Sequence, residues 1–172
     1  MRRALIVVSK LALAVAAASL GGCGGGAPKK TAEPPPFQGI YTASGDCADS
    51  GKLTIEQCLT AMEKAVAEHE KSAPSYKSLR SCEGTEGVDR CERTHVGNYR
   101  PVLLAFLVIA SKTPVAKPLY ASGDPKKVGF RSASNDFFLT SDEALAMSQH
   151  AQTLAESTID KQAKAPKSNF GG

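Results

Sequence analysis

CADSGKLTIEQCLTAMEKAVAEHEKSAPSYKSLRSCEGTEGVDRC, residues 47–91, holds four of the chain's five cysteines and its clearest helical signal. Thr54-Ile55-Glu56-Gln57 reads as a capping box, with Thr54 as the cap and Gln57 reaching back to it. Behind it Ile55, Leu59, Met62 and Val66 recur at helical spacing, flanked by Cys58, Ala61 and Ala65. Glu63, Lys64, Glu68, Glu70 and Lys71 fall outside that stripe. This pattern predicts an amphipathic helix that ends before Pro74 and turns the Ile55–Val66 stripe into a core.

Cys47, Cys58, Cys82 and Cys91 form an even set, and two pairings suit their spacing. The sequential one joins Cys47 to Cys58 and Cys82 to Cys91, closing two short loops. The nested one joins Cys58 to Cys82 and Cys47 to Cys91, stapling the helix to the segment after it. Both readings remain open at this level. Either implies an oxidising compartment. The close C-x2–4-C pairs of structural zinc sites are absent, as are the C-x-x-C redox and C-x-x-C-H haem motifs.

The fifth cysteine lies upstream in a different context. Met1-Arg2-Arg3 is basic, Leu11 to Leu20 is a run of apolar and small residues, and Leu20-Gly21-Gly22 leads into Cys23. A basic start, a short apolar core and small residues at the cut make a secretory signal. Cys23 makes it a lipoprotein signal, with Leu20, Gly21 and Gly22 as the peptidase recognition residues. About ten apolar residues are too few to span a bilayer, which takes roughly twenty. Residues 1–22 are therefore expected to be removed and Cys23 lipidated. Gly24 stands where an aspartate would favour the inner membrane, so the expected address is the periplasmic face of the outer membrane. Residues 23–36 are the anchor and a flexible Gly/Pro tether, which reaches some 40 Å if extended at ~3.3 Å per residue.

The leader also carries much of the charge. The chain has 21 Lys and Arg against 17 Asp and Glu; Arg2, Arg3 and Lys10 lie in the leader, leaving 18 against 17. Such a balance gives no footing for nucleic-acid binding. Hydrophobic residues make up 42% of the chain but aromatic ones only 6%, with no Trp, so the core rests on Ala, Leu and Val.

Residues 37–160 then read as a single α+β domain. Packing starts at Phe37–Tyr41, and Tyr76–Glu92 reads as a short helix or turn carrying Cys82, then a loop to Cys91. Val102 to Ala110 is continuously apolar, too short to span a membrane and best read as a fully buried helix or strand. Leu119–Ser122 and Val128–Arg131 flank the turn Gly123-Asp124-Pro125, and Ser134-Asn135-Asp136 turns into Phe137-Phe138-Leu139. A short antiparallel sheet after residue 118 follows. Thr140-Ser141-Asp142-Glu143 reads as a second capping box, opening the second main helix, which runs to about Ile159. Its face of Ala144, Met147, Ala151, Leu154 and Thr158 is weakly apolar, which predicts loose docking. Residues 161–172 read as a basic, disordered tail.

The cysteine block carries a resemblance. Tyr41 and Asp46-Cys47, ten residues to Cys58, Ala73-Pro74-Ser75-Tyr76, twenty-three residues from Cys58 to Cys82 and eight more to Cys91 are followed by Pro118-Leu119-Tyr120, a Gly-Phe-Arg and an aromatic pair. Over residues 40–138 this is similar to the YgiB-type lipoproteins, the family called domain of unknown function 1190. The compact Val102–Ala110 segment and the short basic end depart from the family's low-complexity filler and long tail. The resemblance implies an envelope lipoprotein without an established activity.

No residue pattern supplies an obvious chemistry. His69 sits at the edge of the helix face and reads as a satisfied boundary residue; His95 and His150 lie too far away to complete a metal-binding pair. No G-x-S-x-G and no phosphate-cradling glycine loop occurs. Glu83, Glu86, Asp89 and Glu92 lack the alternating spacing of a calcium loop and read as a solvated acidic loop. No catalytic residue, metal or cofactor is expected. Three classes of function follow, in descending order: a non-catalytic structural or interaction module of the envelope, a small-ligand-binding lipoprotein, and a thiol-redox protein. For the first, the expected contact surface is Val102–Ala110 with Tyr99, Phe106 and Phe130, facing an unknown envelope protein.

Overall fold

The computed structural model describes residues 36–164, with side chains through Ile159. The expected leader, all but the last residue of the tether and residues 165–172 lie outside the described residues. The elements run β1 (Gln38–Tyr41), α1 (Ser44–Ala48), α2 (Ile55–Ser72), α3 (Leu79–Glu86), β2 (Cys91–Arg93), β3 (Tyr99–Pro101), β4 (Ala105–Ile109), β5 (Val115–Ala121), β6 (Gly129–Arg131), β7 (Phe137–Leu139), β8 (Ala146–Met147) and α4 (Gln149–Lys164).

The capping box forms as the sequence predicts. Thr54 Oγ1 accepts from the Gln57 amide at 3.3 Å, and Gln57 Oε1 accepts from the Thr54 amide at 2.9 Å. The face that α2 buries is another matter. Ile55, Leu59 and Val66 are 49%, 48% and 40% exposed, whereas Cys58, Ala61, Met62, Ala65 and His69 turn inward. The disulfide Cys47–Cys58 ties α2 to α1 and fixes its rotation. The small side chains of Ala61 and Ala65 then let the helix approach the sheet closely, and the larger residues stay at the flank.

The architecture is α+β, with a sheet larger than the sequence suggests. Six strands run in the order β7-β6-β5-β4-β1-β8. All pairs are antiparallel except β1 with β8, which is parallel. The sheet therefore recruits β1 and β4 from before residue 118. A separate ribbon pairs β2 with β3. β4 explains the long apolar run: Phe106 and Val108 face a cluster with Tyr41, Met62 and Ala116 beneath α2, and Ala105 and Leu107 face a second cluster with Ile40, Leu119, Phe130, Ala151 and Ala155 beneath α4. A strand covered on both faces has no reason to alternate. Both clusters and both disulfides lie within one compact unit of the described residues.

The last helix starts later than Thr140. Its amide and hydroxyl both donate to the Val128 carbonyl, at 3.0 and 3.3 Å, and Asp142 caps a turn through the Ala144 amide at 3.1 Å. Those bonds spend the expected capping residues on a loop, so Ala146–Met147 enters the sheet and Ser148 becomes the cap, accepting from the Ala151 amide at 3.2 Å. Docking is tight rather than loose: Ala151 and Ala155 are fully buried, and Arg90 donates to the Thr158 carbonyl. α4 continues to Lys164, into the stretch expected as tail.

At Gly129 a side chain has no room, because a Cβ there would lie 2.1 Å from the Phe138 carbonyl oxygen. The close β6–β7 pairing depends on that bare Cα. No helix among the described residues is long and apolar enough to cross a membrane.

Candidate functional site

The cysteines pair sequentially. Cys47 bonds Cys58, and Cys82 bonds Cys91 across nine positions. The second bridge holds the middle of α3 against the start of β2, and Ser78 caps α3 by accepting from the Ser81 amide at 3.1 Å. This brings Glu86, in the last turn of α3, under the sheet. It is 4% exposed, not part of a solvated acidic loop.

Around Glu86 a polar cleft of about 350 Å3 opens between α3 and the β5–β6 and β6–β7 turns. The Tyr76 hydroxyl donates to Glu86 Oε1 at 2.6 Å, and Arg131 donates to Glu86 Oε2. Arg131 also donates to Asn135 Oδ1 at 3.3 Å, where Asn135 takes a positive φ of 65° in the β6–β7 turn. Burial lowers the Arg131 guanidinium from its ordinary value, and the opposed carboxylate keeps the charge matched.

The polar contacts continue inward. The Arg131 guanidinium lies 5.7 Å from the centre of the Tyr120 ring. Tyr120 Oη meets His69 Nδ1 at 3.1 Å, and His69 Nε2 meets Glu92 Oε1 at 3.3 Å. Arg100 donates to Glu92 and to Glu70, each at 2.6 Å. A tautomer with hydrogen on Nε2 satisfies all three partners: Tyr120 donates to Nδ1, and His69 donates to Glu92. The hydrogen bond to Glu70 raises Arg100 above its usual value and lowers the Glu70 carboxyl. One polar seam thus runs from the cleft beneath α2 to the surface. It occupies the layer where the sequence gives only a boundary histidine and an acidic loop.

Burial pushes the Tyr120 phenol from 10 up to about 12. The unfolded chain then loses this proton near pH 10 while the folded one keeps it, so stability falls as pH rises from 10 towards 12. At about 1.4 kcal/mol per pH unit the loss approaches 2–3 kcal/mol. Tyr120→Phe is expected to flatten that part of the alkaline unfolding curve, measured by urea melts at stepped pH; equal slopes for the two proteins would show that Tyr120 titrates normally.

The seam's carboxylates, guanidinia and hydroxyls pair with one another, and Tyr120 is 1% exposed. No group of three or more His, Cys, Asp or Glu side chains suited to a metal ion occurs among the described residues.

The expected contact residues part company. Tyr99 is half-buried in β3, where it exchanges backbone hydrogen bonds with Tyr76 at 2.7 and 2.8 Å. Phe106 is half-buried and lines a shallow apolar groove with Leu59, Met62 and Val66. Phe130 is fully buried in the cluster under α4, because β6 is covered there. It belongs to the core and to no surface. Cys23, Leu20, Gly21 and Gly22 lie outside the described residues.

A family model described as a protein of unknown function, DUF1190, matches residues 37–170. The chain belongs to the DUF1190 family. The match takes in both disulfides, the whole sheet and the polar seam of this DUF1190 domain. No curated protein and no solved structure matches the chain.

Proposed function

We propose that this DUF1190 protein is a non-catalytic interaction module of the cell envelope, lipid-anchored through Cys23 and facing the periplasm from the outer membrane. The observation that carries the reading is the sequential disulfide pairing, which accounts for four cysteines and leaves Cys23 alone behind Leu20-Gly21-Gly22. Two structural disulfides call for an oxidising compartment. A fifth cysteine outside the framework, after a basic and apolar leader, supplies the acylated thiol.

Interaction rather than catalysis is favoured by where the apolar surface lies. Leu59 and Val66 are about half exposed beside Met62 and Phe106, whereas the polar groups of the seam are mutually paired. A thiol-exchange role is disfavoured by burial of Cys47, Cys58 and Cys82, which denies an attacking thiolate access.

Metabolic labelling with palmitate, followed by membrane fractionation, tests the anchor. The wild-type chain is expected to carry label in the outer-membrane fraction, and Cys23→Ala to stay unlabelled with its leader uncut. A photo-crosslinker at Leu59 is expected to yield one discrete adduct in intact cells. An unlabelled wild-type chain in the soluble fraction would overturn the anchoring, and adducts only to abundant bystanders would overturn the interaction role.

A further inference from the structure

A second cavity, of about 430 Å3, is bounded by Phe37, Tyr41, Asp46 of α1, Asp49 and Lys52 just beyond that helix, Met147 of β8 and the α4 cap Ser148. Its volume falls in the range of small-molecule sites, roughly 300–1,000 Å3. Volume alone says little. What distinguishes this cavity is Tyr41, which is 4% exposed and whose hydroxyl is the buried side-chain polar atom without a hydrogen-bond partner among the described residues.

The hydroxyl is held in that position by the backbone. A Cβ at Gly39 would lie 2.4 Å from Tyr41 Oη, so the ring rests across the bare Cα of Gly39. Gly39 pairs in the sheet with Ala146, itself part of the cavity wall. Three of the neighbouring polar side chains are occupied: Asp46 Oδ2 accepts from the Thr42 amide at 3.1 Å and from the Ser148 hydroxyl at 2.5 Å, and the Ser50 hydroxyl donates to the Cys47 carbonyl at 2.7 Å, while the Lys52 ammonium lies 5.2 Å from the centre of the Phe37 ring. The contrast with the Glu86 cleft is direct, since there Tyr76, Glu86, Arg131 and Asn135 pair among themselves. Buried polar atoms in folded proteins are rarely left unpaired, and an orphan beside a cavity marks a missing partner.

We propose that this cavity binds a small, mainly apolar molecule carrying one hydrogen-bonding oxygen. The apolar body packs on Phe37, the Tyr41 ring and Met147, and the oxygen accepts from the Tyr41 hydroxyl. Nothing in this assignment depends on the anchor or the compartment, so it stands or falls separately from the envelope role.

The test uses two probes of nearly equal shape, acetophenone and α-methylstyrene, which differ by a carbonyl in place of a methylene. Each is titrated into the 15N-labelled full-length chain, with amide shifts as the readout. Both probes are expected to move the amides of Gly39, Tyr41, Met147 and Ser148, with acetophenone binding about two- to tenfold more tightly, the usual net worth of one hydrogen bond. Tyr41→Phe is expected to abolish that preference while leaving α-methylstyrene unchanged. Shifts absent from these residues, equal affinities in the wild-type chain as expected if water alone meets the hydroxyl, or a preference that survives Tyr41→Phe would each overturn the proposal. The wild-type comparison decides the matter even where the variant folds poorly.

Discussion

Glu86→Ala is expected to destabilise the domain by about 3–5 kcal/mol, the range for removing one partner of a buried ion pair. Glu86 is 4% exposed and accepts from both Arg131 and Tyr76. Without it the Arg131 guanidinium, with a side chain 9% exposed, stays buried with only neutral oxygens to meet it, the Ser132 carbonyl at 3.4 Å and Asn135 Oδ1 at 3.3 Å. That cost belongs to the stranded charge more than to the lost attraction. The double variant Glu86→Ala/Arg131→Met removes the stranded charge as well and is expected to recover much of the loss. Urea unfolding of the two variants checks both halves. A single variant within 1 kcal/mol of wild type would mean that water reaches Arg131 freely and that the seam is no buried network.

The second large effect comes from the disulfides. Each closes a short loop, with sequence separations of 11 and 9. The chain-entropy relation gives about 2.5–3 kcal/mol for loops of that length. Replacing Cys47 and Cys58 by Ala is expected to cost that much, and the Cys82/Cys91 replacement a similar amount; losing both approaches the whole stability of a marginal domain, about 5–15 kcal/mol. The two bridges differ in what they support. Cys82–Cys91 holds α3, from which Glu86 reaches Arg131, so its removal is expected to couple non-additively with Glu86→Ala. The Cys47–Cys58 replacement, away from the cleft, is expected to add independently. Thermal and urea melts of the single and combined variants check this; full additivity in both crosses would separate α3 from the seam.

The parts of this fold that were legible in the sequence are the local ones. Thr54 and Gln57 cap a helix because their bonds lie within one turn. Gly123-Asp124-Pro125 and Ser134-Asn135-Asp136 turn the chain for similar reasons, with Gly123 at φ 73° and Asn135 at φ 65°. What failed was decided at long range. Helical spacing alone nominated Ile55, Leu59 and Val66 for the core, but the Cys47–Cys58 bridge chose the face with the small residues. Thr140–Glu143 satisfies a helix-start pattern, yet Thr140 is taken by Val128, twelve residues away in chain. An unbroken run such as Val102–Ala110 cannot say which helix will cover which face; Ala105 and Leu107 lie under one, Phe106 and Val108 under another.

The polar seam escaped the sequence for the same reason. His69 and Tyr120 are 51 positions apart, and Glu86 and Arg131 are 45 apart. Nothing in an acidic stretch such as Glu83–Glu92 tells a buried carboxylate from a solvated one. The one available hint was His69 itself, a titratable residue at the edge of an apolar face. Placing Phe130 on a surface reversed its true position, because an aromatic next to a turn reads the same whether a helix lies over it or not.

A non-reducing peptide map of the protein taken from its native cells bears most directly on the whole account. It is expected to show Cys47 linked to Cys58, Cys82 linked to Cys91, and an amino-terminal Cys23 carrying acyl mass with residues 1–22 gone. Free thiols at the four downstream cysteines, a nested linkage, or an uncut leader on an unacylated chain would contradict it.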